Sequence, residues 1–497
     1  MPIPTRLAPL PPEAFGLAEA RHLLIRAGFG PSPADVHAAV RDGLEMTVDG
    51  LVGYPGTADP EPAEPNVDPD ILRPYTYEEQ QQLRTARQRN DQAALDRLRE
   101  ERLGRERQDR RQFARMQHWW IERMARTTRP LEESLVLLWH SHFATRYRDV
   151  EDAYMMWQQQ RLFREHAQGS FTEMAVRIVR DPAMLRFLNN DRNVKSNPNE
   201  NLARELMELF TLGEGNYTER DIYHAARALT GYTLEDHSFR FREDVHDDEN
   251  DKRILGRTGP FNGDYLVRWL VKQPACAEFI AFKLYRHFVA DLSDNRAQWA
   301  DWQTATVRSL SRELRRNEFE IGPTLRTLFT STHFYDAAVR GNKIKPPAQL
   351  VAGTVSSMRL PWRSGRLATE AMRRMGQELF NPPTVAGWDV GRPWVNTSTM
   401  FARQNAAAYL ISGKGPGERW DRSDIGHDPS ELLEDLDSTQ AYRVVDYFVD
   451  VYLGPHTPEA RRAPLKRFMG DRKNPTSPDV LVGLMLLIAA MPEYQLC

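Results

Sequence analysis

The sequence predicts a mainly α protein, built as one large multi-helix domain with long irregular loops and one long charged helix. Three observations predict it. Most of the 497 residues fall into stretches with apolar side chains at helical spacing. Those stretches open on capping patterns, among them Ser32-Pro33-Ala34-Asp35, Thr76-Tyr77-Glu78-Glu79 and Thr218-Glu219-Arg220-Asp221. Proline and glycine fall mostly between the stretches, and no repeat of solenoid length recurs.

Taken in order, residues 1–53 read as N-terminal helices packing on the core: Leu17 to Arg26 runs into the turn Gly28-Phe29-Gly30-Pro31, and a second helix opens at Ser32. Residues 54–75 are rich in Pro, Asp and Glu without apolar periodicity, the composition of a surface loop or linker. Residues 76–497 form the main α-helical domain. It opens on a proline-free run from Thr76 to about Thr128, a helix of about 75 Å if unbroken, with a break expected near Gly104. The first half of that run is charged at helical spacing, which suits a solvated arm or a partner-binding helix; Phe113, Met116, Trp119, Trp120 and Met124 draw the second half into the core. Pro130 starts a helix ending in His140-Ser141-His142-Phe143, and further helices follow to Gly231. Leu234 to Pro260 reads as a charged irregular insertion, of the kind that often carries function. Helices resume at Asp264. Gln377 to Thr397 then breaks the pattern with Trp388 and Trp394 in a Pro/Gly-rich loop.

Composition excludes several classes. Lys+Arg of 66 against Asp+Glu of 69 gives a net charge of -3, against a general affinity for nucleic acid. No apolar run approaches the roughly 20 residues of a membrane span. Two cysteines, Cys276 and Cys497, cannot build a disulfide framework or a thiolate zinc site, so any metal would take O and N ligands. The N-terminus has prolines where a signal peptide has its apolar core; the expected location is cytoplasmic as written, or periplasmic or exported if a leader has been trimmed.

The richest stretch is Asn197 to Gly213, NPNENLARELMELFTLG. It predicts a helix capped by Asn197, with Pro198 at its first position, Glu200 reaching back as a capping carboxylate, and Gly213 at its end. At 100° per residue, Leu202, Ala203, Leu206, Met207, Leu209 and Phe210 share the buried arc, and Glu205 falls at its edge with Glu208 one turn on. A carboxylate there needs an arginine, lysine or metal partner, or takes a raised pKa. Arg204, four residues from both Glu200 and Glu208, is explained by surface ion pairs.

RHLLIRAGFG, WHSHFAT at Trp139 to Thr145, NPNENLARELMELFTLG followed by YTERDI and ARALTGY, QPACAEFIAFKLYRHFV, and FNPPTVAGWDVGRPWVNTSTMFAR at Phe380 to Arg403 together resemble the DUF1800 family, in order and over most of the chain. The resemblance implies a mainly helical fold and no established activity. It also implies a frequent export signal, which is not expected for the sequence as written, and genetic neighbours of the DUF1501 type, similar to the alkaline phosphatase and sulfatase superfamily. A His-Asp, Gly, Lys pattern goes with the family; here His246, Asp247 and Lys252 stand with the glycine replaced and the spacing longer.

The sharpest chemical expectation joins Glu205, His142 and His246 as catalytic residues, with Glu205, Glu208, His142, His246 and Asp247 as ligands for a divalent ion such as Mg, Mn, Ca or Zn. Of the two nearby histidines, His142 lies nearer the helix end. Trp388, Trp394, Asn396, Arg403 and Lys252 are the candidate substrate contacts. The plainer alternatives are a hydrogen-bonded core His142, a Glu205 paired with a cation, tryptophans that merely anchor their loop, a solvated Lys252, and satisfied, partly buried Lys283 and His287. No phosphate loop, nucleophile elbow or zinc-protease motif is present. The two functional expectations are a metal-dependent hydrolase or lyase for a polymeric or glycosidic substrate, and a non-catalytic scaffold or partner of a DUF1501-like protein.

Overall fold

A computed structural model describes residues 3, 5–53, 62–415, 427–436 and 438–497. Residues 54–61 of the expected Pro/acidic loop lie outside them. The chain is 62% helix and 5% strand, mainly α as the apolar periodicity predicts. Among the described residues no helix is long and apolar enough to cross a membrane.

The N-terminal helices are Leu17–Ala27 and Pro33–Val52; Ser32 caps the second through Asp35, as its sequence predicts. The long charged run breaks earlier than expected. Two helices, Tyr77–Gln88 and Gln92–Arg126, meet at Asn90, whose φ of 50° is left-handed, and Asp91 restarts the helix by accepting from the Ala94 amide. Asparagine enters that conformation at low cost, whereas Gly104 stays helical because nothing there obliges it to leave. The second half of the run buries Phe113, Met116, Trp119, Trp120 and Met124.

The helix Pro130–His142 is held in the centre by a buried charge hub. Glu133, fully buried, accepts from Arg123 Nε at 2.6 Å, from Arg164 Nε at 2.7 Å and Nη2 at 3.0 Å, and from Trp120 Nε1 at 3.0 Å. The hub ties three helices, Gln92–Arg126, Pro130–His142 and Ala153–Glu165, through one carboxylate. With both lone-pair sets occupied, its charge is compensated where an unpaired one would be prohibitive.

The insertion expected to be irregular is two antiparallel hairpins, Tyr232–Glu235 with Ser238–Phe241, and Lys252–Ile254 with Arg257–Gly259. Their two-residue turns are Asp236-His237, with Asp236 at φ 55°, and Leu255-Gly256, with both residues at positive φ. Strands of three or four residues carry too little alternation to stand out among so many charges. Downstream come the helices Gly263–Val271, Pro274–Phe288, Asp301–Arg316, Ile321–Phe329 and Pro347–Ser357. Thr397–Ser412 packs on both Pro347–Ser357 and the apolar Pro478–Ala489.

Candidate active site

The stretch from Asn197 to Gly213 folds differently at both ends from its sequence pattern. Its helix begins at Asn201; Asn197 lies instead in a bridge with Val194, and the Asn199 amide is held by the Asn193 side chain at 2.9 Å. From Leu206 to Thr211 the helix widens into a π-helix, closed by Thr211 Oγ1 donating to the Leu206 carbonyl at 2.6 Å. Such a widening turns carbonyls away from the α ladder and recurs at functional sites. Leu202, Ala203, Leu206, Met207 and Phe210 are buried and Leu209 is half-buried, as the periodicity predicts.

Glu205 is half-buried and has no hydrogen bond or ion pair with any described residue. Burial first, then the Glu208 charge, raise its pKa. Glu208 accepts from Tyr217 Oη at 2.5 Å instead of pairing with Arg204, which reaches Glu219 at 2.7 Å and Glu200 at 3.3 Å.

His246 and Asp247 belong to a separate cluster. His246 Nδ1 lies 2.7 Å from the Thr230 carbonyl, and its ring packs on Phe241. Asp247 is taken up by Arg227 Nε at 2.6 Å; burial pushes its carboxyl up, but Arg227 and Lys252 more than offset that and hold it below the ordinary range. Lys252, expected in solvent, is fully buried: its Nζ donates to the Glu249 carbonyl at 2.8 Å and lies 3.5 Å from Asp247. The segment folds back on Glu219–Ala228, and a buried lysine there needs those acceptors.

His142 belongs to neither group. It ends its helix, buried, with Nε2 3.0 Å from the Phe210 carbonyl inside the π-helix. A carbonyl only accepts, so Nε2 carries the proton and Nδ1 keeps a bare lone pair, which has no partner among the described residues. Burial, then the nearby Lys283 charge, lower its pKa to about 3, so the ring is neutral at physiological pH. The five residues expected to share a divalent ion are thus spread over three settings. Among the described residues no three His, Cys, Asp or Glu side chains are grouped to hold a metal ion.

What His142 does line is a pocket of about 930 Å³, its open mouth included, where five distant parts of the chain meet. They are Arg26 to Phe29, the end of Pro130–His142, Lys283 to His287, Lys343 to Gln349, and the loop from Ala386 to Trp394, with Gln377 and Cys497 beside them. The loop is seated by Gly387, at φ 94°: a Cβ there would lie 2.3 Å from the Ser141 carbonyl, so only glycine lets the two backbones meet. Ser141 Oγ then accepts from the Trp388 amide at 3.2 Å.

Both tryptophans of the loop are buried in the pocket wall, and Trp388 Nε1 has no partner among the described residues. Of the other expected substrate contacts, Lys252 lies apart in the Asp247 cluster, and Asn396 and Arg403 hold the loop. Asn396 caps Thr397–Ser412 through the Thr399 amide, and fully buried Arg403 donates to the carbonyls of Trp394 and Lys345 and to Gln495. A buried guanidinium spent on main-chain carbonyls is a strut, not a free ligand donor.

Lys283 is the residue that sequence reasoning undervalued. Expected to be satisfied, its ammonium has neither hydrogen bond nor ion pair with any described residue and lies 4.8 Å from the Phe279 ring centre and 5.7 Å from that of Phe282. Burial, with Arg286 adding to it, lowers its pKa to about 7. His287, on the same helix, is satisfied as expected, with Nε2 2.9 Å from Ser134 Oγ. The available signal was a lysine inside Phe279-Ile280-Ala281-Phe282-Lys283-Leu284, a helix buried on nearly every side. Arg26, Ser134, Ser141 and Lys343 had no comparable signal, because only the tertiary fold brings their segments together.

Neither the curated proteins nor the solved structures contain a match to this sequence. A family model does match, over residues 22–496, and its span takes in every segment of the pocket wall except Cys497. The chain belongs to the DUF1800 family, described as proteins of unknown function.

Proposed function

We propose that the pocket is an active site and that the protein is a hydrolase or lyase acting on a polymeric or glycosidic substrate, with His142 Nδ1 as the proton acceptor. The observation that carries this reading is the state of His142: one nitrogen is fixed by the Phe210 carbonyl, the other is a bare lone pair, and the ring shares a pocket wall with an unpaired lysine and an unpaired indole N–H. A buried neutral imidazole with one fixed tautomer is arranged as a general base is, and a base of this kind contributes about 100-fold or more. Its depressed pKa rises when a bound anionic group offsets the Lys283 charge.

The test is turnover of a panel of polysaccharides, following new reducing ends for hydrolysis and unsaturated products for elimination. His142→Gln, which keeps a donor for Phe210 and loses the basic lone pair, is expected to lower kcat about 100-fold or more while KM moves little. An undiminished kcat would remove the base from the reading, and no product from any substrate would remove the reading.

A divalent-ion form of the proposal places the ion at Glu205 and Glu208. Stoichiometric metal that disappears in Glu205→Gln supports it; fully active metal-free protein retires it. The scaffold reading draws on the charged pair Tyr77–Gln88 and Gln92–Arg126, where Tyr77 is strongly exposed. Co-elution of the purified chain with a purified DUF1501-like protein, lost on charge reversal along Gln92 to Arg107, is its test.

A further inference from the structure

The cations around the pocket are not equally engaged. Arg26, Lys283, Arg286 and Lys343 line it. Arg286 is neutralised by Asp294 at 2.6 Å, and Lys343 by Asp291 at 2.5 Å. Arg26 is spent on the carbonyls of Val289 at 2.8 Å and Val339 at 2.9 Å, and on Asn342 Oδ1 at 3.2 Å. Lys283 is left with only ring faces, at 9% exposure. Asp389, the one aspartate of the wall, is exposed and makes no ion pair with Lys283 among the described residues.

Leaving an ammonium buried without a counter-charge is costly, and folded proteins pair such groups or give them a ligand. Two neighbouring hydrogen-bonding positions are also unmet: the Trp388 indole N–H, which can only donate, and His142 Nδ1, which can only accept. Lys283 is the one cation of the wall with neither hydrogen bond nor ion pair among the described residues, and its ammonium calls for one negative charge. With a single free ammonium and neutral imidazoles around it, a carboxylate fits better than a doubly charged phosphate, for which clustered arginines or a helix terminus would be expected. The bare imidazole lone pair calls for a ligand hydroxyl.

From this unmet set we propose that the pocket takes a hydroxylated carboxylate, a sugar acid of the uronate type, with its carboxylate on Lys283, a further acceptor on Trp388 Nε1 and a hydroxyl on His142 Nδ1. The inference rests on reading this pocket as the substrate site and narrows that substrate to an anionic sugar. Lys283 is then the residue that selects for charge, and His142 the one that meets the sugar hydroxyl.

The experiment is calorimetric titration of the full chain with D-glucuronate, D-glucose and inorganic phosphate, just below neutral pH. Glucuronate is expected to bind at least about tenfold more tightly than glucose, and Lys283→Met to abolish that preference. Lys283→Arg should restore part of it. Lys283→Met removes an unpaired buried charge and should fold; Trp388→Phe gives an independent variant, expected to weaken glucuronate severalfold. Equal binding of glucose, phosphate binding in preference to glucuronate, no glucuronate binding at all, or a preference indifferent to Lys283→Met would each overturn the proposal. Turnover of a neutral glycan that is lost in His142→Gln, without glucuronate binding, would overturn the anionic assignment and leave the active-site reading standing.

Discussion

Replacing Glu133 by Gln should be among the most destabilising single changes in this chain. The side-chain shape is kept and the charge removed. In the native hub each carboxylate oxygen accepts two bonds: one oxygen takes Arg123 Nε and Arg164 Nε, the other Trp120 Nε1 and Arg164 Nη2. Whichever way the amide is turned, its NH₂ faces two donors and two of the four bonds are lost. Two guanidiniums, nearly as buried as the carboxylate, also lose the Glu133 charge. Breaking such a set from one side costs about 3 to 5 kcal/mol. Urea unfolding followed by tryptophan fluorescence and by far-ultraviolet dichroism gives the free-energy difference, provided the two transitions coincide. A loss below about 1 kcal/mol, the level of an exposed pair, would refute the reasoning. The sign with pH follows: burial pushes the Glu133 pKa up, but Arg164 and Arg123 more than offset it, so the folded value lies below the ordinary one. The contribution is therefore complete above the unfolded pKa and is lost as pH falls through the folded value, so the gap between wild type and variant narrows only in acid.

Other groups give opposite signs. The Lys283 pKa is lowered to about 7 in the fold, so the group costs stability below that pH and the cost is relieved as pH rises from about 7 toward the unfolded value near 10. Lys283→Met should stabilise the protein at pH 6 by up to about 4 kcal/mol, with the gain fading by pH 10; a pH-independent difference in urea midpoint would contradict this. Asp181 is buried, accepts from Gln159 at 2.7 Å and the Met184 amide at 2.8 Å, and has its pKa raised to about 7, chiefly by burial. Its sign is that of a carboxyl happier protonated: stability falls as pH rises from about 4 to 7, and Asp181→Asn should flatten that slope in thermal melts. Gly387→Ala puts a methyl 2.3 Å from the Ser141 carbonyl at a left-handed φ, costing roughly 2 to 4 kcal/mol and moving Trp388; unchanged stability and tryptophan emission would show that the loop is not seated as described.

Much of the fold was legible because apolar periodicity and caps act locally: Ser32, Thr76 and Thr218 cap the helices their sequences predict. The departures come from interactions reaching across the fold. Asn197 and Pro198 have the chemistry of a helix start, but Asn193 holds the Asn199 amide and delays the helix to Asn201. Asn90, not Gly104, breaks the charged run, because the left-handed turn is set by how the two helices pack back on one another. The site was only half legible. His142 and the Trp388 to Trp394 loop were visible as unusual residues in unusual places. The charge balance that isolates Lys283 depends on Asp294 and Asp291 occupying its neighbours, which no spacing rule within one helix reveals.

The motif Asn197 to Gly213 illustrates why chemistry-bearing side chains mislead when read alone. Its carboxylates drew the functional reading, yet Glu208 is engaged by Tyr217 and Glu205 lies outside the pocket wall. The contribution of the motif to the pocket is a main-chain carbonyl. Phe210 lies in the last turn of its helix, where a carbonyl has no amide one turn on to accept from. The chain here reaches Gly213 by way of the π turn, and Phe210 O meets His142 Nε2 instead. That bond fixes the tautomer and leaves Nδ1 bare on the wall shared with Lys283 and Trp388. The physical role of the motif is thus to set which nitrogen of His142 is available, a role carried by backbone geometry and invisible to any scan for acids and bases.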